Sequence, residues 1–229
     1  MEPKGLSIIT NYGCHWKCPY CITKETHSNL PITESLDPDI LKVYEIFKQD
    51  PNAYSSISIS GGGDPLWNID NDRISDFIII GKLARMNNVP FSLHTSLYNH
   101  IFKHAYFAFD KIVFHINTIN DLALVEKCVR FTFDPKFKPI IRVVFVVKPG
   151  TNLNELVSIW DIVDKSWEID ELSFRQFVNP DWSVDHTLEE TLRQWQDAGR
   201  SHYIEQRDYN DYIFDGQLFH AYSDLLKAF

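Results

Sequence analysis

The sequence predicts an α/β fold, a partial TIM-like (β/α)6 barrel that is open on one side and carries a short C-terminal extension. Short apolar or β-branched runs alternate with helical patterns along most of the 229 residues. Such alternation indicates a parallel sheet with right-handed crossovers. The runs number about six, fewer than the eight strands of a closed barrel. Residues 201–229 break the alternation, and we expect them to pack on the barrel formed by residues 1–200.

Six segments are predicted strands: LSIIT (6–10), SSISIS (55–60), PFSLHTS (90–96), KIVFHIN (111–117), PIIRVVFVV (139–147) and ELSFRQFV (171–178). Within them apolar residues alternate with polar ones, so each strand has one apolar and one polar face. If the apolar faces meet the helices, serine, histidine, asparagine and arginine side chains line the inside of the barrel. We therefore expect a polar ligand there, because an inert core would not be polar.

Five segments show helical periodicity, namely 37–48, 71–88, 120–131, 154–167 and 185–199. In the first, Asp37 is the predicted N-cap and Pro38 the first helical residue. Residues 97–109 are only a weak helix prediction. In the C-terminal extension, FDGQLF has an Asp-Gly turn signal between apolar flanks, which predicts a hairpin capping the barrel.

Composition limits the functions that this chain can have. The net charge of −9 does not favour an extended nucleic-acid interface, which needs a basic face. The first residues, MEPKGLSIIT, do not resemble a secretory signal, and no apolar run approaches the roughly 20 residues that span a bilayer. We expect a cytoplasmic protein with no membrane partner.

Three of the four cysteines lie within the stretch GCHWKCPYC, at Cys14, Cys18 and Cys21. In a reducing compartment such a group is more typical of metal binding than of disulfides. Three thiolates can bind three irons of a cubane cluster and leave the fourth iron to another ligand. A zinc site completed by His15 or His27 is the alternative. Cys128, on an amphipathic helix, is interpreted as a core residue.

The spacing Cys-x3-Cys-x2-Cys, with Tyr20 before the last cysteine, resembles the signature of the radical S-adenosylmethionine (radical SAM) superfamily. The segment SISGGGDPLW after the second strand is similar to that family's Gly-Gly-Glu-Pro segment, with Asp64 in place of the glutamate. The resemblance implies one [4Fe-4S] cluster on Cys14, Cys18 and Cys21. It also implies SAM as cofactor and a reductant such as flavodoxin or ferredoxin. Further residues are predicted to bind SAM: Tyr20, Gly62, Gly63, Asp64, Pro65, Ser96, Asn117 and Arg142.

Four residues are weaker candidates for binding substrate: His94, His115, Arg175 and Gln176, the last lying on the helix side by alternation. The histidines could equally be satisfied interior residues. The inward arginines need an anionic partner, which could be the SAM carboxylate, an acidic substrate or an internal acid such as Asp64.

The resemblance implies that SAM is cleaved reductively to a 5′-deoxyadenosyl radical, which then abstracts hydrogen from a substrate. No catalytic residue is predicted beyond the cluster and SAM. We expect a small-molecule or nucleotide-like substrate, and the reaction class (oxidoreductase, lyase or transferase) is open. The first alternative is an activase of glycyl-radical enzymes, whose substrate is a partner protein. The second is a non-catalytic iron-sulfur or zinc protein.

Overall fold

The computed structural model describes residues 4–10, 13–16, 18, 21, 35–60, 62–179, 181, 183–196, 201–205 and 210–228. Nine strands in these ranges form one sheet in the order β7-β6-β5-β4-β3-β2-β1-β8-β9. The strands are β1 (Gly5–Ile8), β2 (Ser56–Ile59), β3 (Phe91–Thr95), β4 (Lys111–Ile116), β5 (Ile140–Val147), β6 (Glu171–Gln176), β7 (Ser201–Ile204), β8 (Asn210–Phe214) and β9 (Gln217–Phe219). All neighbouring pairs are parallel except β8 and β9. The six predicted strands and their order are confirmed.

In the described ranges, helices between successive strands pack on one side of the sheet, as the alternation predicts, and one more helix follows the last strand. They are α1 (Asp37–Gln49), α2 (Asn71–Met86), α3 (Lys103–Tyr106), α4 (Asn120–Thr132), α5 (Leu153–Lys165), α6 (Glu189–Gln196) and α7 (Tyr222–Ala228). The predicted N-cap of α1 is wrong by one residue, because Leu36 occupies that position. The weak prediction at 97–109 is a short 3-10 turn, His100–Phe102, followed by the single turn of α3. None of the helices in the described ranges is long and apolar enough to cross a membrane.

The core lies between the helices and the outward face of the strands. Ile57, Ile59, Leu93, Ile112 and Phe114 alternate along β2, β3 and β4 and are completely buried. Each such side chain contributes roughly 1.5–3 kcal/mol to folding when it leaves water. The alternating residues of the same strands therefore face the opposite, inner side of the sheet, as predicted.

The C-terminal residues do not simply cap the barrel. Residues 201–204 continue the sheet as β7 beside β6, while β8 pairs in parallel with β1 at the other end. The predicted hairpin is present, joining β8 to β9 through Asp215 (φ 51°) and Gly216 (φ 71°). Two consecutive positive φ angles are typical of the tight turn that Asp-Gly favours. The correction is that the first strand of this hairpin extends the sheet.

The connection between β7 and β8 shows that the sheet is strongly curved. From Ile204 to Asn210 the chain advances six residues, which span at most about 21 Å when fully extended. In a flat sheet, seven strand spacings would separate β7 from β8, roughly 33 Å. The two ends of the sheet must therefore approach one another, as in a partial barrel. We call the space enclosed by the inner face the lumen.

The helix α7 covers one end of the inner face. Leu225 of α7 packs with Ile9 and Phe214, and all three are buried. Ile9 follows β1, and Phe214 is on β8, so this cluster closes the lumen at the β1–β8 end of the sheet.

Candidate functional site

Most of the predicted cofactor residues that the structure describes lie where parallel strands end, and Arg142 is the exception. The cysteine segment follows β1, the glycine segment follows β2, and Ser96 and Asn117 follow β3 and β4. Functional loops of barrel proteins gather at this carboxyl edge. The Nδ2 atom of Asn117 lies 3.7 Å from the sulfur of Cys18, so the end of β4 lies directly beside the cysteines.

Asp64 connects three of these loops. Its backbone N–H donates to the carbonyl of Gly13, at 2.8 Å, in the segment that leads to Cys14. Its Oδ1 accepts hydrogen bonds from the N–H of Leu66 (3.0 Å) and the hydroxyl of Thr95 (2.8 Å). Its Oδ2 accepts from the N–H (2.6 Å) and hydroxyl (2.7 Å) of Ser96. The carboxylate is 3% exposed, and these contacts occupy both oxygens.

The glycine segment has the backbone conformation that requires glycine. Gly62 has φ 65°, a left-handed value that side chains disfavour. Gly62 and Gly63 keep accessible surface, whereas Asp64, Pro65 and Leu66 are buried behind them. The arrangement leaves backbone without side chains facing outward at the edge where the cysteines lie, and a ligand can approach such backbone closely.

The three cysteines are free thiols with partly accessible side chains. The N–H of Trp16 lies 3.4 Å from the sulfur of Cys14, and the N–H of Cys21 donates to the carbonyl of Cys18 at 3.1 Å. Burial raises the pKa of the Cys14 thiol, the Trp16 N–H lowers it, and the negative charges of Asp64, Cys18 and Cys21 raise it again. The thiols are thus near enough to interact electrostatically, and a bound cation would relieve that repulsion.

The three thiols are a donor set that an iron-sulfur cluster can use. No three His, Cys, Asp or Glu side chains of the described residues stand close enough together to hold one metal ion. A zinc ion requires its ligands to converge at about 2.0–2.3 Å from one point. The thiolates of a cubane each bind a different iron and need no such convergence. N–H groups directed at sulfur, such as that of Trp16, are typical neighbours of a cluster.

Aromatic rings surround the cysteine segment. The His15 ring lies 5.4 Å from Trp16 and 6.0 Å from Trp67, and Trp16 lies 6.1 Å from Tyr98. Burial lowers the pKa of His15, which keeps this imidazole neutral. These rings shield one side of the segment from water. The other predicted aromatic residue, Tyr20, and the alternative zinc ligand His27 lie outside the described residues.

The lumen is polar, as the alternation predicts. The hydroxyl of Ser7 lies 3.2 Å from that of Ser58 and 2.5 Å from that of Ser60. Farther along the sheet, Nδ1 of His94 lies 3.4 Å from Nε2 of His115. Burial is the main cause that lowers the pKa of both imidazoles, to about 4 for His115. Both histidines are therefore neutral at physiological pH.

An ion-pair group lies at the amino-terminal end of the lumen. Glu171 accepts from Lys111 at 3.0 Å and from Nε of Arg142 at 2.5 Å. Burial opposes ionisation of Glu171, but the two cations together hold its pKa below the usual value. Arg142 thus has an acidic partner within the protein, and among the alternatives left open by the sequence this partner is an internal acid, Glu171. The contact of Arg142 with SAM stays a prediction. The position of Arg142 does not favour it, because this residue lies far from the carboxyl ends of the strands, where the cysteines are.

Arg175 and Gln176 lie at the other end of the same strand, β6, near its carboxyl edge. Arg175 is on the inner face, and its positive charge helps to lower the pKa of both His94 and His115. Gln176 is on the helix side, where its amide nitrogen, Nε2, lies 3.2 Å from Nδ1 of His186. Gln176 therefore does not share the inner face with the three other substrate candidates.

Glu171 and Ser7 were missed by sequence reasoning. Glu171 shares the face of Ser173 and Arg175 by simple alternation, so the rule that placed Arg175 inward could have found it. Ser7 likewise lies between the apolar residues Leu6 and Ile8. The hydrogen bonds of Asp64 had no sequence signal, because they join loops that are distant along the chain.

Comparison with known proteins supports the fold but at low sequence identity. No protein-family model matches the sequence, and no curated protein matches it. Among solved structures, SuiB of Streptococcus suis bound to S-adenosylmethionine superposes with a TM-score of 0.65 at 14% identity, covering 97% of this chain and 59% of that one. The anSMEcpe structure with bound AdoMet gives a TM-score of 0.58 at 16% identity, covering 88% of this chain and 63% of that one.

Both neighbours contain bound S-adenosylmethionine, and the chain shares their fold. It spans about three fifths of the length of these two neighbours. The likeness agrees with the motif resemblance noted in the sequence, since the cysteine and glycine segments lie at the expected edge of this fold.

Proposed function

We propose that this protein is a radical SAM enzyme that cleaves SAM reductively and uses the resulting 5′-deoxyadenosyl radical to abstract hydrogen from a small-molecule or nucleotide-like substrate. One observation carries the proposal. Three free thiols and a glycine turn lie at the same carboxyl edge, joined through Asp64, in a chain with the fold of SAM-bound structures.

In this proposal Cys14, Cys18 and Cys21 hold the [4Fe-4S] cluster. When bound, such a cluster supplies the electron that cleaves SAM and an open iron position for it. The protein contributes the surroundings. The Trp16 N–H stabilises negative charge on the Cys14 sulfur, and the Asn117 amide does so at Cys18.

The residues around the glycine turn would bind and orient SAM. Gly62 and Gly63 offer backbone that a ligand can approach closely, and Pro65 is buried beneath them. Asn117 lies beside Cys18, and we assign it to SAM as well. Ser96 supports this site through its two hydrogen bonds to Asp64, and Tyr20 remains a proposed SAM contact.

Asp64 is best explained as a positioning residue. Each carboxylate oxygen already accepts two hydrogen bonds from Leu66, Thr95 or Ser96. An ammonium group could add to this set but is not needed to satisfy it. The glutamate-to-aspartate change therefore fits an acid whose task is to hold loops together.

The polar lumen supports a small substrate. It is narrowed by α7 at one end and by the Glu171 ion pairs at the base. A flavodoxin or ferredoxin is the proposed reductant, and the cytoplasm the proposed location. No described feature favours the activase alternative, in which a loop of a partner protein would enter.

The test is anaerobic reconstitution with iron and sulfide, followed by SAM and dithionite and detection of 5′-deoxyadenosine by mass spectrometry. We expect the wild-type protein to form it and a Cys18→Ala variant to form none, because three thiolates are needed to retain the cluster. Cys128→Ala is the matched control, since Cys128 is a buried core residue on α4 and should leave both cluster and product unchanged.

The failure modes identify the alternatives. A wild-type protein that takes up iron and sulfide but does not bind SAM would contradict the proposal and favour an electron-transfer or assembly role. Retention of the brown cluster and of activity by Cys18→Ala would show that the ligand assignment is wrong.

A further inference from the structure

An exposed apolar surface lies on the outer, helical side of the sheet, between the segment that follows β3 and helix α4. Its four large apolar side chains are between 51% and 68% exposed, namely Ile101, Phe107, Leu124 and Phe131. Two exposed lysines, Lys103 and Lys127, belong to the same segments. We call these six residues the α3–α4 face.

Contacts between the two segments make this face continuous. Helix α4 packs against the 3-10 turn His100–Phe102, and the Cys128 thiol of α4 is in hydrogen-bonding contact with the Tyr106 hydroxyl of α3. Leu124 and Phe131 are four and three residues from Cys128, so they lie on the same side of α4 as that cysteine. The exposed apolar side chains of α4 therefore flank the seam between α4 and α3.

The charge of this region differs from that of the whole chain. Residues 100–138 contain six lysine or arginine residues and four acidic ones, whereas the chain as a whole has a net charge of −9. The segment 100–107 contains no acidic residue. Lys103 and Lys127 form no ion pair with any residue that the structure describes. The face is therefore positive on a negative protein.

The acidic residues of α4 do not neutralise these lysines. Asp121 accepts hydrogen bonds from the backbone N–H groups of Asn117 and Thr118 at the start of the helix. Glu126 is two residues from Leu124, which places it on another side of α4. The exposed lysines thus border the apolar side chains without a local counter-charge.

Packed rings connect the face with the cysteine segment. Six rings follow one another with centroid separations of 5.5–6.2 Å, in the order Phe107, Phe133, Tyr106, Phe114, Tyr98 and Trp16. The backbone N–H of Trp16 lies 3.4 Å from the sulfur of Cys14. An electron that enters at the face can therefore pass through closely packed protein to the thiols.

We propose that the α3–α4 face docks the reductant, a small electron-transfer protein with an acidic surface around an apolar contact. The inference rests on the proposed function, because it names the surface at which the electron for SAM cleavage enters. Opposite charges on the two surfaces steer the encounter, and the apolar centre holds the complex together. A second copy of this chain is disfavoured as the occupant, because lysines would then face lysines.

The transfer that follows docking involves one electron. With a flavodoxin as partner, its hydroquinone anion gives one electron to the oxidised cluster and becomes the neutral semiquinone. No proton or group is transferred. The face contributes only proximity and orientation, so its loss should slow reduction by the protein donor and leave reduction by a small molecule intact.

The first measurement is binding to the reconstituted full chain, which needs no turnover. A flavodoxin of net negative charge, in its oxidised form, is titrated in a calorimeter at low and at high salt. We expect saturable binding that weakens as salt rises, because salt screens exposed charges. Lys127→Glu should weaken binding at low salt by roughly tenfold, since it reverses a charge on the face. Lys48→Glu, the same change at an exposed lysine of α1, is the matched control and should leave the affinity unchanged.

A second pair of variants tests the apolar part of the face. Leu124→Ala should weaken binding by a few-fold at either salt concentration, because less apolar area leaves water in the complex. Leu41→Ala is its control, since Leu41 is an equally exposed leucine on α1. Both leucines lie outside the core, so the fold and the cluster content should be unaffected.

The second measurement compares two reductants. Cluster reduction is followed by absorbance, with flavodoxin hydroquinone or with dithionite as the donor. We expect Lys127→Glu to be slower than wild type by roughly tenfold with flavodoxin and equal to it with dithionite, which is small and needs no docking surface. Lys48→Glu should match the wild type with both donors.

Several outcomes would overturn the proposal. They are absence of saturable flavodoxin binding, equal affinities of Lys127→Glu and Lys48→Glu, and a dimer in sedimentation that Lys127→Glu dissociates. Binding to phosphatidylglycerol vesicles that Leu124→Ala abolishes, with flavodoxin affinity unchanged, would assign the face to a lipid surface instead. Absence of 5′-deoxyadenosine with dithionite would count against the proposed function, while the binding titration still tests the docking face.

Discussion

Asp64 and Asp39 are both buried carboxylates, but their surroundings differ sharply. Asp64, at the carboxyl edge of the sheet, accepts two hydrogen bonds at each oxygen. Asp39 is completely buried on α1, where Oδ1 accepts from the N–H of Gly216 at 2.9 Å. Within the described residues, its Oδ2 has no hydrogen-bond donor. Both oxygens of Asp64 therefore accept hydrogen bonds at the candidate site, whereas only one oxygen of Asp39 does so beside the hairpin.

The comparison shows that burial alone does not determine what a carboxylate contributes. Burial raises the pKa of Asp39 to about 6, a shift that the Gly216 N–H only partly opposes and that the nearby charge of Asp215 increases. The same residue type thus holds loops together in one region and stores unfavourable free energy in the other. Three sets of substitutions test this contrast.

The largest effect is expected for Asp64→Ala. It leaves buried donors of Leu66, Thr95 and Ser96 without an acceptor, and we expect unfolding free energy to fall by about 3 kcal/mol in denaturant titration. Ser96→Ala removes only one of these donors and should cost about 1 kcal/mol. If the two variants lose equal stability, the carboxylate does not hold the loops as described. Full stability with lost SAM affinity in Asp64→Ala would instead make it a direct ligand.

Asp39→Asn should increase the stability of the protein, in contrast to Asp64→Ala. The folded pKa of about 6 exceeds the ordinary 3.8, so the folded state binds more protons between these values and wild-type stability falls as pH rises through that window. Above it, the ionised acid costs at most about 3 kcal/mol, and we expect the variant to be more stable by about 1–2 kcal/mol at pH 7.5. The gain should vanish near pH 4. Thermal unfolding at both pH values measures it, and a pH-independent difference would contradict the assigned cause.

The smallest effect is a difference in stability of about 1 kcal/mol between two glycine variants, one of them at Gly216, the donor to Asp39. Gly216 has φ 71°, and an added Cβ would lie 2.9 Å from the Cβ of Pro38. Gly150 has φ 86° but open space around it, so Gly150→Ala carries the backbone strain alone. We expect about 1 kcal/mol of destabilisation for Gly150→Ala and about 2 kcal/mol for Gly216→Ala. If both variants lose the same stability, α1 and the hairpin can move apart at little cost. The hydrogen bond between Gly216 and Asp39 would then not be tightly held.

Local patterns explain why much of the fold was predictable. Period-two alternation identified six strands and the polar face that carries His94, His115 and Arg175. The cysteine spacing and the glycine segment predicted a site at the carboxyl edge of the sheet, and both segments lie at that edge. Each of these signals comes from residues that are close together along the chain, so it can be recognised in a single sequence.

Contacts between distant segments explain the rest. Pairing of β8 with β1 joins residues about two hundred positions apart, and residues 210–214 carry no local sign of their neighbour. The Glu171–Arg142 pair depends on the register between β5 and β6, and sequence reasoning left the anionic partner of Arg142 open. Register is set by the assembled sheet, which is why the sequence alone did not identify Glu171 as that partner.

The position of β1 between β2 and β8 has a consequence for the order in which the site is made during protein synthesis. A chain synthesised only as far as residue 205 lacks β8, so β1 is then an edge strand with unpaired backbone groups. The cysteine segment that follows β1 is supported from one side only in such a nascent chain. This segment would therefore be incompletely anchored on the ribosome, and its thiols acquire their final support only after β8 has emerged.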